Sequence, residues 1–487
     1  MAYCGYVVEI QNLRKHTNAD RLQIATVFGN DVVVGLDTQV GQLMVYFPTD
    51  GQLGEEFCKV NDLVRRKDEN GNPAGGYLDP DKRNIKAVKL RGEKSDGLLM
   101  PITSLAEFTK VSDLKAGDTI TVLNGVEICK KYIPRRRSGG VYMGQGHKKA
   151  KANFAPTFYE HVDTAQLAYN LNQFKSGDIV ELTLKMHGTS GRTGYLPIQK
   201  QAKRTLWDKI RRRPGKTYTE YDYVTGTRRV VLDSKHDGGF YDDNSFRHAM
   251  AAKFEGKLRK GEVAYYEIVG FVNANTPIMA SVKNSKIKDK EFTKQYGEET
   301  VFSYGCDRTG GFEWRNLDDS GDVESGTMSL TEAREYGLAL APRCEVYVYR
   351  MTMVNEDGDV VEMSPDQVRI RCEQMGVKTV PVFERFIIPE NPGEVLTDKA
   401  GEVDYGVCSA GEFVLRKVEK YFDGPDPIGK THIREGVVAR IVNRPDIAVY
   451  KHKNFNFKVL ESIIKDEREF PDMEEAQEVE TQEGMGE

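Results

Sequence analysis

Apolar and polar residues alternate over residues 180–185, with Val180, Leu182 and Leu184 on one side and Glu181, Thr183 and Lys185 on the other. A period of two marks a half-buried strand, and Gly188, Thr189, Ser190 and Gly191 supply the turn that ends it. The strand therefore delivers one amine, Lys185, to the lip of a bend. Downstream, residues 261–271 read as a strand in which Glu267, three residues before Gly270, interrupts an otherwise apolar stretch after Glu262. A second carboxylate, Glu435, precedes Gly436 and the apolar pair Val437 and Val438. Residues 448–455 carry Lys451 and Lys453 two positions apart, which places both on one face of a strand. Upstream, residues 5–10, 22–28, 32–36, 43–48 and 119–123 read as short strands between turns, the pattern of a small barrel. Two phrases, 333–342 and 371–381, predict helix–turn–strand units within a turn-rich elaboration over residues 308–430.

Composition widens this picture. A chain of 487 residues has the length of about three average domains, and 39% apolar residues suffice for real cores. The net charge of −5 is nearly neutral at this length, so a contact with nucleic acid must come from local patches. Two such patches are present. Lys130, Lys131, Arg135, Arg136 and Arg137, then Lys148, Lys149 and Lys151, form a basic linker, and residues 200–216 set eight Lys or Arg against one acid, Asp208, with Trp207 among them. That composition suits a segment tracking a phosphate backbone. Seven cysteines without C-x-x-C spacing argue against a disulfide framework or a zinc site and lead us to expect a reducing, cytoplasmic setting. No apolar run approaches the ~20 residues that cross a bilayer, and the start lacks the features of a secretion signal. A soluble monomer with no membrane contact is expected. The acidic tail over residues 466–487 lacks aromatic residues past Phe470 and reads as disordered.

Residues 424–431 match the letters of a phosphate-cradling P-loop, but the physics opposes that reading. Such a loop grips phosphate with successive backbone N–H groups and opens a helix, whereas Pro425 and Pro427 have no N–H and an apolar strand follows Thr431.

Lys185, His187, Gly188 and Thr189 resemble the K-x-H-G-T motif of ATP-dependent RNA ligases in the covalent nucleotidyltransferase superfamily, in the form found in T4 RNA ligase 2 and the RNA-editing ligases. DNA ligases and capping enzymes usually carry K-x-D-G, often with an arginine two residues after the glycine, where this chain has His187 and Ser190. The resemblance continues in order through Arg228, Glu267, Phe302 and Tyr304, Glu435, and Lys451 with Lys453, Lys458 being an alternative to the last pair. It implies that Lys185 attacks the α-phosphorus of ATP, which requires an unprotonated amine, with His187 beside it. Gly188, Arg228, Glu267, Glu435, Lys451 and Lys453 would line the nucleotide, Phe302 or Tyr304 would stack on adenine, and Glu435 with Glu267 would hold Mg²⁺ or Mn²⁺.

The phrases at residues 16–22 and 90–100 resemble the opening and closing segments of the OB-fold tRNA-binding module, which makes Arg14, Lys15, Arg21, Lys89 and Arg91 candidate RNA contacts. An OB module ahead of a catalytic domain is the order of the Deinococcus-type RNA ligase. The implied fold is α+β: an OB-like barrel over 1–125, a basic linker over 126–155, an adenylyltransferase domain of antiparallel sheets with flanking helices over 156–465, and the tail. The implied activity is joining of RNA 3′-hydroxyl and 5′-phosphate ends through a lysine–AMP intermediate. A DNA ligase or capping enzyme is disfavoured by His187 and by the position of the barrel. A non-catalytic RNA-binding protein on a degenerate ligase fold is disfavoured by the intact set of lysines and glutamates.

Overall fold

The computed structural model describes residues 3–133, 155–162, 164–202, 217–228, 231–232, 245–272, 276–306, 312–317, 323–328, 343–392 and 409–467. The linker cations at 135–151, the basic run at 203–216, the phrase 333–342, and the tail beyond 467 lie outside these residues. The first residue of the second basic run, Lys200, is described, and its ammonium pairs with Glu220 (3.0 Å) and Asp222 (2.7 Å) of the neighbouring strand.

By contacts the chain divides into two units, Met1–Gly140 together with Lys453–Glu487, and Val141–His452. In the first, the five expected strands are all present. They do not close a barrel among the described residues. Leu98–Pro101, Leu43–Phe47, Gly5–Glu9 and Thr119–Ile120 pair in that order as one sheet, while Leu13–Lys15, Leu22–Val27 and Asn30–Gly35 form another. Val7, Val45, Phe47, Phe57, Leu105 and Ile120 fill the core beneath the first sheet. The two phrases that resemble the tRNA-binding module do meet: the His16 imidazole bridges the Leu90 carbonyl (3.1 Å) and the Asn18 N–H (3.0 Å), and Asn18 Nδ2 donates to the Arg91 carbonyl (3.0 Å). The C-terminal helix Phe455–Glu467 belongs to this unit, fastened by Lys458 to Asp96 (2.6 Å) and Lys465 to Asp50 (3.1 Å).

The second unit is built on two sheets. In one, Ile179–Lys185 lies between Gly436–Ile441 and Val382–Ile387, with Ala448–Lys453 and Ala165–Gln166 continuing beyond the former. In the other, Thr189–Gln201 lies between Thr217–Gly226 and Glu262–Gly270, and Cys344–Val354 pairs with the latter. The inward residues of the first sheet, among them Val180, Leu182, Val437, Ala439 and Ile441, pack on Phe413, Val414 and Val418 of the helix Ala410–Glu419. That helix starts at a capping box in which the Ser409 and Glu412 side chains satisfy each other's backbone N–H groups. A second capping box, Ser364 with Gln367, starts the helix Pro365–Met375, and the strand Lys378–Thr379 follows it, as the 371–381 phrase predicts. Arg371 on that helix forks onto the buried Glu262 carboxylate through Nε and Nη2, each at 2.8 Å, which anchors the helix to the Glu267 strand.

The chain crosses from one sheet to the other only three residues after Lys185. Met186, His187 and Gly188 are the whole connection.

Candidate active site

Register places the reactive groups. Lys185 is the last residue of its strand and pairs with Gly436, so Glu435 falls beside it, with Nζ 2.8 Å from Oε1. On the other sheet Ser190 pairs with Glu267, and its Oγ donates to Oε2 at 3.5 Å. The crossover thus carries one carboxylate on each flank. Glu435 is 3% exposed and the Lys185 side chain 23%, so the amine reaches solvent while its partner does not. His187 stands between the flanks: its Nδ1 is 3.7 Å from Glu435 Oε2, its backbone N–H donates to Tyr304 Oη (2.7 Å), and its ring meets Phe302 edge to face at 4.7 Å. Gly188 is required by close approach, since a Cβ there would stand 2.4 Å from the Ile268 carbonyl and 2.9 Å from Glu267 Cγ.

Phe302 and Tyr304, the two candidates for stacking on adenine, are 1% and 4% exposed and pack on protein rings. Burial pushes the Tyr304 phenol well above its usual pKa, with Asp426 adding to the effect, so the hydroxyl stays protonated. Arg228 sits just past the strand Thr217–Gly226, and Lys451 lies beside Gln166 in a parallel pair. Both are close enough to His161 to disfavour its protonation. Lys453 is engaged by both oxygens of Glu461 (3.0 and 2.9 Å) and Lys458 by Asp96 (2.6 Å).

One residue of the site's framework escaped the sequence. Arg247, 3% exposed on the helix Ser245–Ala251, donates from Nη2 to Thr189 Oγ1 (2.6 Å) and from Nη1 to the Ser190 carbonyl (3.1 Å). It holds the first two residues of the strand that follows the Lys185 crossover. No spacing could have shown this, because the contact spans 57 residues of sequence.

Burial, then the charges of Arg350, Arg228 and Lys451, hold the His161 pKa down to about 3 from 6.5. The folded chain keeps this imidazole neutral while the unfolded chain protonates it. The stability it carries is therefore complete above pH 6.5 and drains as pH falls toward 3, with about 2 kcal/mol lost by pH 5. The drop in melting temperature from pH 7 to pH 5 should be smaller in His161→Gln, and an equal drop would show that His161 is already charged in the fold.

The arrangement can be set against solved structures. A Naegleria gruberi RNA ligase, as an apo single-substitution mutant, is 14% identical, with 94% of this chain and 97% of that one covered at a TM-score of 0.50. A second mutant of the same enzyme, with ATP and Mn, is also 14% identical, with 95% and 99% covered at a TM-score of 0.50. In fold, the chain is similar to an RNA ligase. The likeness runs along nearly the whole of both chains, so it covers the first unit as well as the two sheets around Lys185. No family model matches the sequence, and no curated protein matches it.

Proposed function

We propose that this chain is an ATP-dependent RNA ligase that joins a 3′-hydroxyl to a 5′-phosphate through a lysine–AMP intermediate. The observation that carries the reading is the position of Lys185: a partly exposed amine on Glu435 at a three-residue crossover between two sheets, with Glu267 bound by Ser190 just past the far end of the crossover. In the first step Nζ attacks the α-phosphorus, a P–N bond forms, the α–β P–O bond breaks, and pyrophosphate leaves. The 5′-phosphate oxygen of RNA then takes AMP from the lysine, and the 3′-hydroxyl displaces AMP to form the phosphodiester. Before attack, Nζ must shed a proton, and Glu435 Oε1 at 2.8 Å is an acceptor within hydrogen-bond reach.

The donor set fits a hard divalent ion. Among the described residues no group of three or more His, Cys, Asp or Glu side chains gathers as a metal cage, but Mg²⁺ is ordinarily held by one or two carboxylates, with phosphate and water completing the shell. Glu435 and Glu267 would hold it. Such an ion, when bound, neutralises phosphate charge. Lys451 and Arg228 would bear on the nucleotide phosphates and ribose, whereas Phe302 and Tyr304, buried against protein rings, are not open to stack on adenine.

Incubation with ATP or GTP labelled at the α-phosphate tests the first step, and sealing of a 5′-phosphorylated RNA tests the rest. Labelling by ATP alone, with sealing, is expected. Labelling by GTP would transfer the chain to the capping-type enzymes, and failure of both nucleotides would leave a non-catalytic RNA-binding protein.

The first unit is assigned the grip on the polynucleotide. Lys15, Arg21 and Arg91 are exposed around the junction of the two tRNA-module-like phrases, whereas Arg14 is committed to Asp31 (2.9 Å) and Glu93 (3.0 Å). Because the C-terminal helix is fastened to this unit, deleting residues 1–125 would strip Lys458 and Lys465 of their partners, so point substitutions are the cleaner probe. Replacing Lys15, Arg21 and Arg91 together with alanine should lower the salt slope of RNA binding by roughly two to three and weaken sealing, without changing labelling of Lys185. A matched loss of labelling and sealing would remove these residues from the RNA grip.

A further inference from the structure

The segment with P-loop letters has a different use. Pro425 bridges Ile433 in antiparallel register, and Asp426 N–H donates to the His432 carbonyl (2.8 Å), so Asp426 and His432 are cross-strand neighbours. Three N–H groups that a P-loop would offer to phosphate are spent on Asp426, that of Lys430 on its carbonyl (3.0 Å). Those of Ile428 (2.8 Å) and Gly429 (3.1 Å) donate to Asp426 Oδ1.

The pair is buried, Asp426 at 1% and His432 at 0% exposure, and Asp426 Oδ2 and His432 Nε2 have no hydrogen-bond partner. His432 Nδ1 lies 3.0 Å from the Ile433 carbonyl, which can only accept, so Nδ1 carries the proton and Nε2 is a bare acceptor. Burial keeps the ring neutral. Two buried acceptors without donors weaken a fold, and although Asp426 Oδ1 satisfies two backbone N–H groups, an apolar ring would fill the place of His432 at lower cost.

What the pair touches accounts for its presence. The His432 ring meets Tyr304 edge to face at 4.7 Å and Phe302 at 5.2 Å. These are the two side chains that hold His187, Tyr304 through its hydroxyl and Phe302 through its ring. Tyr304 has a left-handed backbone, φ 49°, which a bulky residue adopts only when its surroundings impose it. Gly429 leaves the room: a Cβ there would stand 2.8 Å from His432 Nε2 and 3.3 Å from Tyr304 Cα.

We propose that Asp426 and His432 are a buried positioning pair for the nucleophile turn, fixing Tyr304 and Phe302 so that His187 is held against Glu435 beside Lys185. The idea rests on the ligase reading for its kinetic consequence and on geometry alone for its structural one. His432→Phe and Tyr304→Phe, singly and together, are to be made in the full chain. Two quantities are measured, the rate and ATP KM of Lys185 labelling, and hydrogen exchange of the His187 amide.

Each single variant should slow labelling by about tenfold or more with little change in KM, and the double variant should be no worse than the poorer single one. His187 exchange should rise by about tenfold or more in His432→Phe, although no hydrogen-bonding atom of His187 or Tyr304 is altered. Should His432→Phe fail to fold, His432→Asn carries the same readouts. Wild-type exchange and labelling in a folded His432 variant, or additive losses in the double, would overturn the proposal. If ATP labels nothing in the wild type, the ligase reading fails by itself and the His187 amide still decides the role of the pair.

Discussion

Lys185→Arg is expected to abolish transfer of labelled AMP to the protein, by at least about 10⁴-fold, with the fold intact. Loss of a covalent nucleophile has effects on this scale, because binding and electrostatic stabilisation cannot act without the bond they stabilise. The usual alanine substitution is the weaker experiment here. Glu435 is 3% exposed and its Oε1 rests 2.8 Å from the lysine amine. Lys185→Ala would take from a buried carboxylate the cation at 2.8 Å, leaving the His187 ring farther off at 3.7 Å from Oε2, and a broken buried pair costs about 3–5 kcal/mol. Inactivity of the alanine variant would then have two explanations. Arginine keeps a cation on Glu435 but cannot be deprotonated in a protein, so it separates nucleophilicity from charge. Labelling that persists in Lys185→Arg, at any lysine, would sink the assignment of the nucleophile.

What the sequence revealed of this site follows from how local each signal is. The strands bearing Lys185, Glu267 and the residues after Glu435 are each written in a few consecutive residues, and they lie at 179–185, 262–270 and 436–441. A period of two survives in any context that buries one face. Which strands pair is not local. The first unit has its expected strands, yet the pairing of its first sheet depends on partners 34 to 115 residues away, from Glu9 with Leu43 to Gly5 with Ile120. Lys453 obeys the two-residue spacing with Lys451 but meets Glu461, in the second turn of a helix that the strand pattern did not anticipate.

Arg247, Asp426 and His432 mark the same boundary between local and distant information. Each is an ordinary letter in its own segment and acquires a role through a turn far away in the chain. The P-loop letters show the converse, a familiar local string whose N–H groups are already committed to Asp426.

Glu435→Gln should lower Lys185 labelling by about 10²–10³-fold, the range for removing one group that acts on developing charge, and raising Mg²⁺ or Mn²⁺ should not restore it. The side chain is held in place by register, since Lys185 pairs with Gly436, and by burial to 3% exposure, so the amide will occupy the same position without the charge. The fold should tolerate the change. The Lys185 side chain is 23% exposed and can turn its ammonium toward water, while an amide in place of the carboxylate removes the buried charge itself. A glutamate that served only to fasten the end of its strand would give activity in proportion to folded protein, with no change per folded molecule. Glu435→Asp sharpens the contrast: it keeps the charge and draws it back by one methylene, so a group needed for its anion should recover part of the labelling, increasingly at high metal. Wild-type labelling per folded molecule in Glu435→Gln would return Glu435 to a structural role and leave Glu267 as the site's acid.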